Sequence, residues 1–323
     1  MDTLETIVSA VLKVLGEPRQ VLFSDVIERF RAEEMPDRHS TRSAYESMLR
    51  SWIVPRWGNM PVSAIRTADV ESWLKSMKCA PKTRQHRKAL MRALFQAAIR
   101  WEMASHNPVH LARVKGGSKR RRRPRLISLD EFERVLCCLR EPFRQMVLLA
   151  ALLGLRASEI VALKWKDFDF EAGTLSVERG CVAGRVADAK TESSQDLMPL
   201  HPAIAAEMLR YQERSRKSEW VFSSPATGQP YHQDTIRQRH LRRAGYRAGL
   251  KFPLGWHTFR HSYRRWLDEA GTPVGIIKEL MRHAHISTTM DVYGVGTLTP
   301  AKRTAHTRLV ELVLGSHSGG SGR

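Results

Sequence analysis

Two stretches near the C-terminus, Gly255-Trp-His-Thr-Phe-Arg-His-Ser-Tyr-Arg-Arg-Trp-Leu267 and Met281-Arg-His-Ala-His-Ile-Ser-Thr-Thr-Met-Asp-Val-Tyr-Gly294, organise the rest of this 323-residue chain. His257 and Arg260 are three residues apart, so on a helix they leave from one face. Trp266, Leu267 and Ile276 supply apolar groups to seat that face against a core. Two polar side chains are thereby aimed at one point. His283 precedes Tyr293 by ten residues, and Ser287 between them is suited to cap a following helix. The tyrosine then sits where a nucleophile can be presented.

Working outward, Gly154-Leu-Arg156-Ala-Ser-Glu159 follows the apolar run Met146 to Leu155 and puts Arg156 at a turn just before a new amphipathic helix. Read alone, Arg156 could equally cap that helix or pair with Glu159. Upstream, Ser128-Leu-Asp-Glu131 is a capping box, with Phe132, Val135, Leu136 and Leu139 following at helical spacing. Downstream, Thr174 to Glu178 alternates polar and apolar residues, and Asp196 to Leu200 is a second extended run. The segment between them, which holds Lys190-Thr191, reads as a β-hairpin or small sheet. Helices are predicted over Pro202 to Tyr211 and Asp234 to Leu250, the second lined by Arg237, Arg239, Arg242, Arg243 and Arg247.

The His257-x-x-Arg260-His261 motif, the stretch from Met281 to Tyr293 and Gly154-Leu-Arg156-x-Ser-Glu159 together resemble the C-terminal half of the tyrosine recombinases, the phage integrase family. The resemblance covers about residues 18 to 314 and implies a mainly α fold with a small antiparallel β-sheet. A helical core-binding (SAM-like) domain would precede a C-terminal tyrosine-recombinase catalytic domain. It also implies six catalytic positions, Arg156, Lys190, His257, Arg260, His283 and Tyr293, all filled here. Two departures stand out: Arg282 occupies a position usually held by glycine, and His285 one that is often small and polar.

The organisation expected is an extension over residues 1–17, the core-binding domain over 18–113, a basic linker over 114–125, the catalytic domain over 126–314 and a Gly/Ser-rich flexible tail over 315–323. In the first domain, Phe23, Val26, Ile27 and Phe30 mark one amphipathic helix. Val70, Trp73, Leu74 and Met77 mark another, with Thr67 as N-cap. Ser43 to Ile53 reads as a helix ending before Pro55. A fourth helix, Lys82 to Trp101, turns Leu90, Leu94, Ala97 and Trp101 inward and Lys82, Arg84, Arg87, Lys88 and Arg92 outward. That basic face is either solvated or laid on DNA phosphates. The few residues before about 17 predict the simple, Xer-like form without an arm-binding domain.

Charge supports a polyanionic partner. Lysine and arginine number 53 against 33 acidic residues, a formal net charge of +20, which favours nucleic acid over a small acidic substrate. Lys115 to Arg125 holds seven basic residues among eleven, with Lys119, Arg120, Arg121, Arg122 and Arg123 at its centre. It reads as a linker crossing a DNA backbone, each neutralised phosphate steepening the salt dependence by about 0.9 log units per log unit of salt. No apolar run is long enough to span a bilayer and no basic-then-apolar leader opens the chain, so no membrane partner is expected. Cys79, Cys137, Cys138 and Cys181 have neither disulfide-framework nor zinc spacing, which fits a reducing cytoplasm.

By resemblance the chain is a site-specific DNA recombinase that cuts and rejoins double-stranded DNA through a 3′-phosphotyrosyl link, working as a tetramer on two DNA sites. Neither metal nor cofactor is implied; His257 with His261, or His283 with His285, are the pairs that a zinc reading would use. The alternatives are a type IB-like topoisomerase, acting as a monomer, and a DNA-binding protein that has lost turnover. Leu309, Leu312 and Val313 form an apolar patch after Tyr293. The resemblance predicts that this helix docks on a neighbouring protomer, the alternative being packing on its own domain.

Overall fold

The computed structural model describes residues 20–113, 124–188, 197–282 and 299–315. The chain forms two compact units, Met1–Arg122 and Arg123–Arg323.

The first unit is built from α1 (Phe23–Glu33), α2 (His39–Met48), α3 (Val54–Trp57), α4 (Thr67–Ser76) and α5 (Pro81–Arg100). Helix α1 forms because its four apolar residues share one stripe, all of them buried. Asp25 accepts the backbone N–H of Leu22 at 3.0 Å, satisfying a donor at the helix start. Phe23 stacks on Phe95 of α5 with ring centroids 4.8 Å apart, and Trp57 meets Trp73 edge-on at 5.6 Å. The helix read as ending before Pro55 instead continues to Trp57. Leu49–Ile53 widens into a π-turn in which the Val54 N–H donates to the Leu49 carbonyl. Such a turn shifts the hydrogen-bond register just ahead of Pro55, whose ring would clash with a carbonyl one turn back in a regular helix. Thr67 is not the cap of α4: Arg66 holds that position, and the Thr67 hydroxyl donates to the Pro108 carbonyl at 2.8 Å.

In the second unit α6 (Leu129–Cys137) starts at the expected capping box. The Glu131 carboxylate accepts from Ser128 N at 2.9 Å and Ser128 Oγ accepts from Glu131 N at 3.2 Å. Helix α7 (Phe143–Leu152) is buried on nearly every side and packs against α12 (Trp256–Glu269). One turn of helix, α8 (Ala157–Ile160), follows Arg156 and leads to a 3-10 turn, Trp165–Asp167. Strands β1 (Phe168–Asp169), β2 (Thr174–Ser176) and β5 (Leu197–Pro199) form an antiparallel sheet in the order β1-β2-β5, with Leu175 opposite Phe168 and Met198. Strands β3 (Arg179–Val182) and β4 (Arg185–Asp188) form a separate hairpin. Helices α9 (Pro202–Arg214), α10 (Gln233–Ile236), α11 (Arg242–Arg247), α13 (Val274–Leu280) and α14 (Pro300–Gly315) complete the unit. The basic helix predicted to reach Leu250 stops at Arg247, because Gly249 at φ +82° turns the chain and lets Leu250 N donate back to the Gly245 carbonyl at 2.9 Å.

The apolar face of α14 lies on its own unit. Leu309, Val310 and Val313 are buried with Ala305 and His306, while Leu312 is exposed. In the single chain, then, the patch expected to dock on a neighbour covers the chain's own core. No helix among the described residues is long and apolar enough to cross a membrane.

Candidate active site

The second unit brings three sequence-distant segments together: the turn at residues 154–156, helix α12 and the end of α13. The turn depends on Gly154. Its φ of +61° lies in the left-handed region, and an added Cβ would fall 2.4 Å from the ring of Tyr263, so both backbone and space demand glycine. Tyr263 lies on α12, one turn after Arg260, and is fully buried. This packing brings the Gly154 carbonyl to Arg260, whose Nη1 donates to it while Nη2 donates to the Met281 carbonyl.

Arg260 is only 6% exposed. Burial, with the charges of Arg156 and Arg282 beside it, pulls its pKa down to about 10, which leaves it cationic at neutral pH. Arg156 is exposed and is held from two directions. Its Nη1 donates to Glu159 Oε1 at 2.7 Å, and its Nη2 donates to the Arg282 carbonyl at 3.3 Å. Glu159 also accepts the backbone N–H of Arg156 at 2.7 Å and pairs with the Arg282 guanidinium. Burial opposes the charge on Glu159, but Arg282 and Arg156 outweigh it and hold the carboxyl below its usual range.

His257 lies in the first turn of α12 and is exposed, its ring centroid 6.3 Å from that of His261. The helix start is anchored by Trp256, whose indole N–H donates to the Gln233 carbonyl at 3.0 Å. Ser262 Oγ accepts the backbone N–H of Ile127 at 3.0 Å, tying α12 to the start of the unit. His283, Tyr293 and Lys190 lie outside the described residues, as do Ser287 and His285. Among the described residues no group of three His, Cys, Asp or Glu side chains is placed to hold a metal.

Lys190 follows β4 by two residues in the sequence. The base of that hairpin is firmly held. Arg179, at the start of β3, donates to both Asp167 oxygens at 2.8 and 2.7 Å, with the Asp167 side chain 2% exposed, and β3 packs along α8 just beyond Arg156. Arg179 also pairs with Glu178, so Asp167→Ala leaves the buried guanidinium one carboxylate in place of two and should cost about 1 to 3 kcal/mol in unfolding free energy measured by urea denaturation. A loss below about 1 kcal/mol would show that water or Glu178 replaces the contact.

The basic residues singled out in the sequence divide. Arg239, Arg242 and Arg243 are exposed around α11, and Arg92 is exposed on α5. Arg87 corrects the outward reading of α5: it is buried, with its guanidinium 3.6 Å from the Trp52 ring centroid and Nη1 3.1 Å from Met77 Sδ. An arginine can satisfy its charge on an aromatic face, and helical spacing alone does not register that partner. Arg84 and Lys88 are half-buried and donate to the carbonyls of Cys79 and Ala112. Lys119, Arg120, Arg121, Arg122 and Arg123 lie outside the described residues. Sequence reasoning took Glu159 only as a possible partner of Arg156 and gave Arg282 no structural role. An acidic residue three positions after the cap was the available signal for Glu159.

Residues 127–295 match the phage integrase family, and residues 23–78 match the N-terminal SAM-like domain of phage integrases. A tyrosine recombinase of Thermosipho africanus is 26% identical over 282 residues, covering 83% of this chain and 92% of that protein. Among solved structures, the Tn1549 transposon integrase in complex with a circular intermediate DNA superposes with a TM-score of 0.69 at 19% identity, covering 90% of this chain and 99% of that one. A lambda integrase tetramer bound to a Holliday junction gives 0.66 at 17% identity, covering 90% and 89%.

Proposed function

This chain belongs to the phage integrase family and is a site-specific recombinase, and on that premise we propose that Arg156, Lys190, His257, Arg260, His283 and Tyr293 cut and rejoin double-stranded DNA through a 3′-phosphotyrosyl intermediate. One observation carries the reading. Arg156 and Arg260, 104 residues apart in the sequence, bond to the adjacent carbonyls of Arg282 and Met281, immediately ahead of His283.

A phosphodiester resists attack because its charge repels a nucleophile and its alkoxide is a poor leaving group. Two guanidiniums are cationic at neutral pH and planar, and each has donors beyond those its backbone contacts use. They can take the non-bridging oxygens and stabilise the pentavalent transition state. Tyr293 Oη bonds to phosphorus, giving its proton to His257, as the bond to the 5′ oxygen breaks and that oxygen takes a proton from Lys190. His283 donates a hydrogen bond to the phosphate. Attack by a 5′-hydroxyl of a second DNA strand reverses the step, so no external energy source is consumed.

The tetramer solved for lambda integrase on a Holliday junction supports four protomers acting on two DNA sites, and the compartment proposed for this reaction is the cytoplasm. The exposed arginines around α11, with Arg92 and the basic linker, are the proposed phosphate contacts.

The test is to incubate the chain with a random-sequence duplex pool, denature it and recover covalently attached DNA. The expected product carries DNA by its 3′ phosphate on Tyr293 and leaves a free 5′-hydroxyl. A pool that yields no covalent species under conditions of tight binding overturns the mechanism. Exchange of labelled strands between two selected duplexes separates recombination from simple relaxation.

A further inference from the structure

Arg282 lies outside the six proposed catalytic positions, yet the site is built through it. Its φ of +48° is in the left-handed region, which costs any residue bearing a Cβ. Surrounding contacts hold it there. Its side chain is 5% exposed and ion-paired with Glu159, its carbonyl accepts from Arg156 Nη2 at 3.3 Å, and its backbone N–H donates to the Glu279 carbonyl at 2.9 Å. Glu159 closes the circuit by accepting Arg156 Nη1 at 2.7 Å. Arg156 itself has a side chain 43% exposed.

We propose that Arg282 is a positioning residue for Arg156, acting through both ends of one strained residue. The inference rests on the phosphate-binding role proposed for Arg156. A long, half-exposed arginine has much rotamer freedom to lose when it binds a phosphate. Anchoring its fork at the Arg282 carbonyl and at a carboxylate that Arg282 itself fixes removes most of that cost before DNA arrives. The second effect is electrostatic. Without Arg282, the full charge of Glu159 would fall on Arg156 and compete with the phosphate. With Arg282, the carboxylate is shared, and Arg156 keeps more of its charge for substrate.

Single-turnover cleavage of a duplex recovered from the random pool tests this with the full chain. Arg282→Gly suits the backbone angle while removing the guanidinium. Cleavage should slow by roughly 10²-fold, the scale of a misplaced catalytic contact. In an Arg156→Ala background the same change should have no further effect, because the path through Arg156 is already gone. A merely structural role would instead lower both rates by the same factor and would follow the loss in thermal stability. Cleavage at the unmodified rate by Arg282→Gly, or an equal loss in both backgrounds, overturns the proposal. Should Arg282→Gly not fold, Arg282→Gln carries the same two measurements and the same criteria. If the unmodified chain makes no Tyr293 adduct, the catalytic reading fails and this inference with it. An adduct whose rate ignores Arg282 sinks the positioning role alone.

Discussion

Tyr293→Phe should bind the selected duplex with unchanged affinity and form no covalent adduct. The substitution removes one phenolic oxygen and leaves every cationic group in place. Phosphate contacts dominate the affinity of a basic protein for DNA, so binding should hold. The covalent step has no other nucleophile in the proposed site, so its rate should fall below detection. Binding by gel shift and attachment after denaturation separate the two. Adducts surviving in this variant would move the nucleophile to another residue and withdraw the reading of the stretch from Met281 to Gly294.

Lys190→Ala should slow cleavage by about 10² to 10⁴-fold with little change in binding, if the lysine protonates the departing 5′ oxygen. A sulfur in place of that bridging oxygen makes a leaving group of far lower pKa that needs no proton. The lysine variant should then recover toward the unmodified rate. Arg156→Ala should stay slow on the same substrate, because it loses charge stabilisation rather than proton transfer. Rescue of neither variant, or of both equally, would pass the acid role to His257 or to another residue. The buried pair of Asp167 and Arg179 holds the first strand of the hairpin, whose second strand ends two residues before Lys190 in the sequence.

Much of the fold was legible because it follows from local pattern. The stripe of Phe23, Val26, Ile27 and Phe30 and the capping box at Ser128 are set by neighbours in sequence and appear at their expected places, and a strand forms at Thr174, though it ends at Ser176 and buries Thr174 as well as Leu175. The motifs holding Arg156, His257 and Arg260 were legible for another reason: their residue types and spacing resemble those of the phage integrase family, whose pattern residues 127–295 match. Pro55 misled the reading because a π-turn can absorb a proline, and the adjustment is made by the backbone of preceding residues rather than announced by their side chains.

The tertiary structure alone decided which charges face solvent and which are used inside. Arg87 and Arg92 lie on one helix and are the same residue type, yet one is buried on the Trp52 ring and the other is exposed. That choice depends on a tryptophan 35 positions earlier in the chain. The circuit of Arg156, Glu159 and Arg282 spans more than a hundred residues of sequence. Its Coulomb terms decay with distance in space and exist only once Tyr263 has packed over Gly154. Helical period and residue chemistry are local properties, so the sequence by itself determined most of the elements and the kind of reaction. The partners of each buried charge are non-local, so only folding determined how the arginines are held.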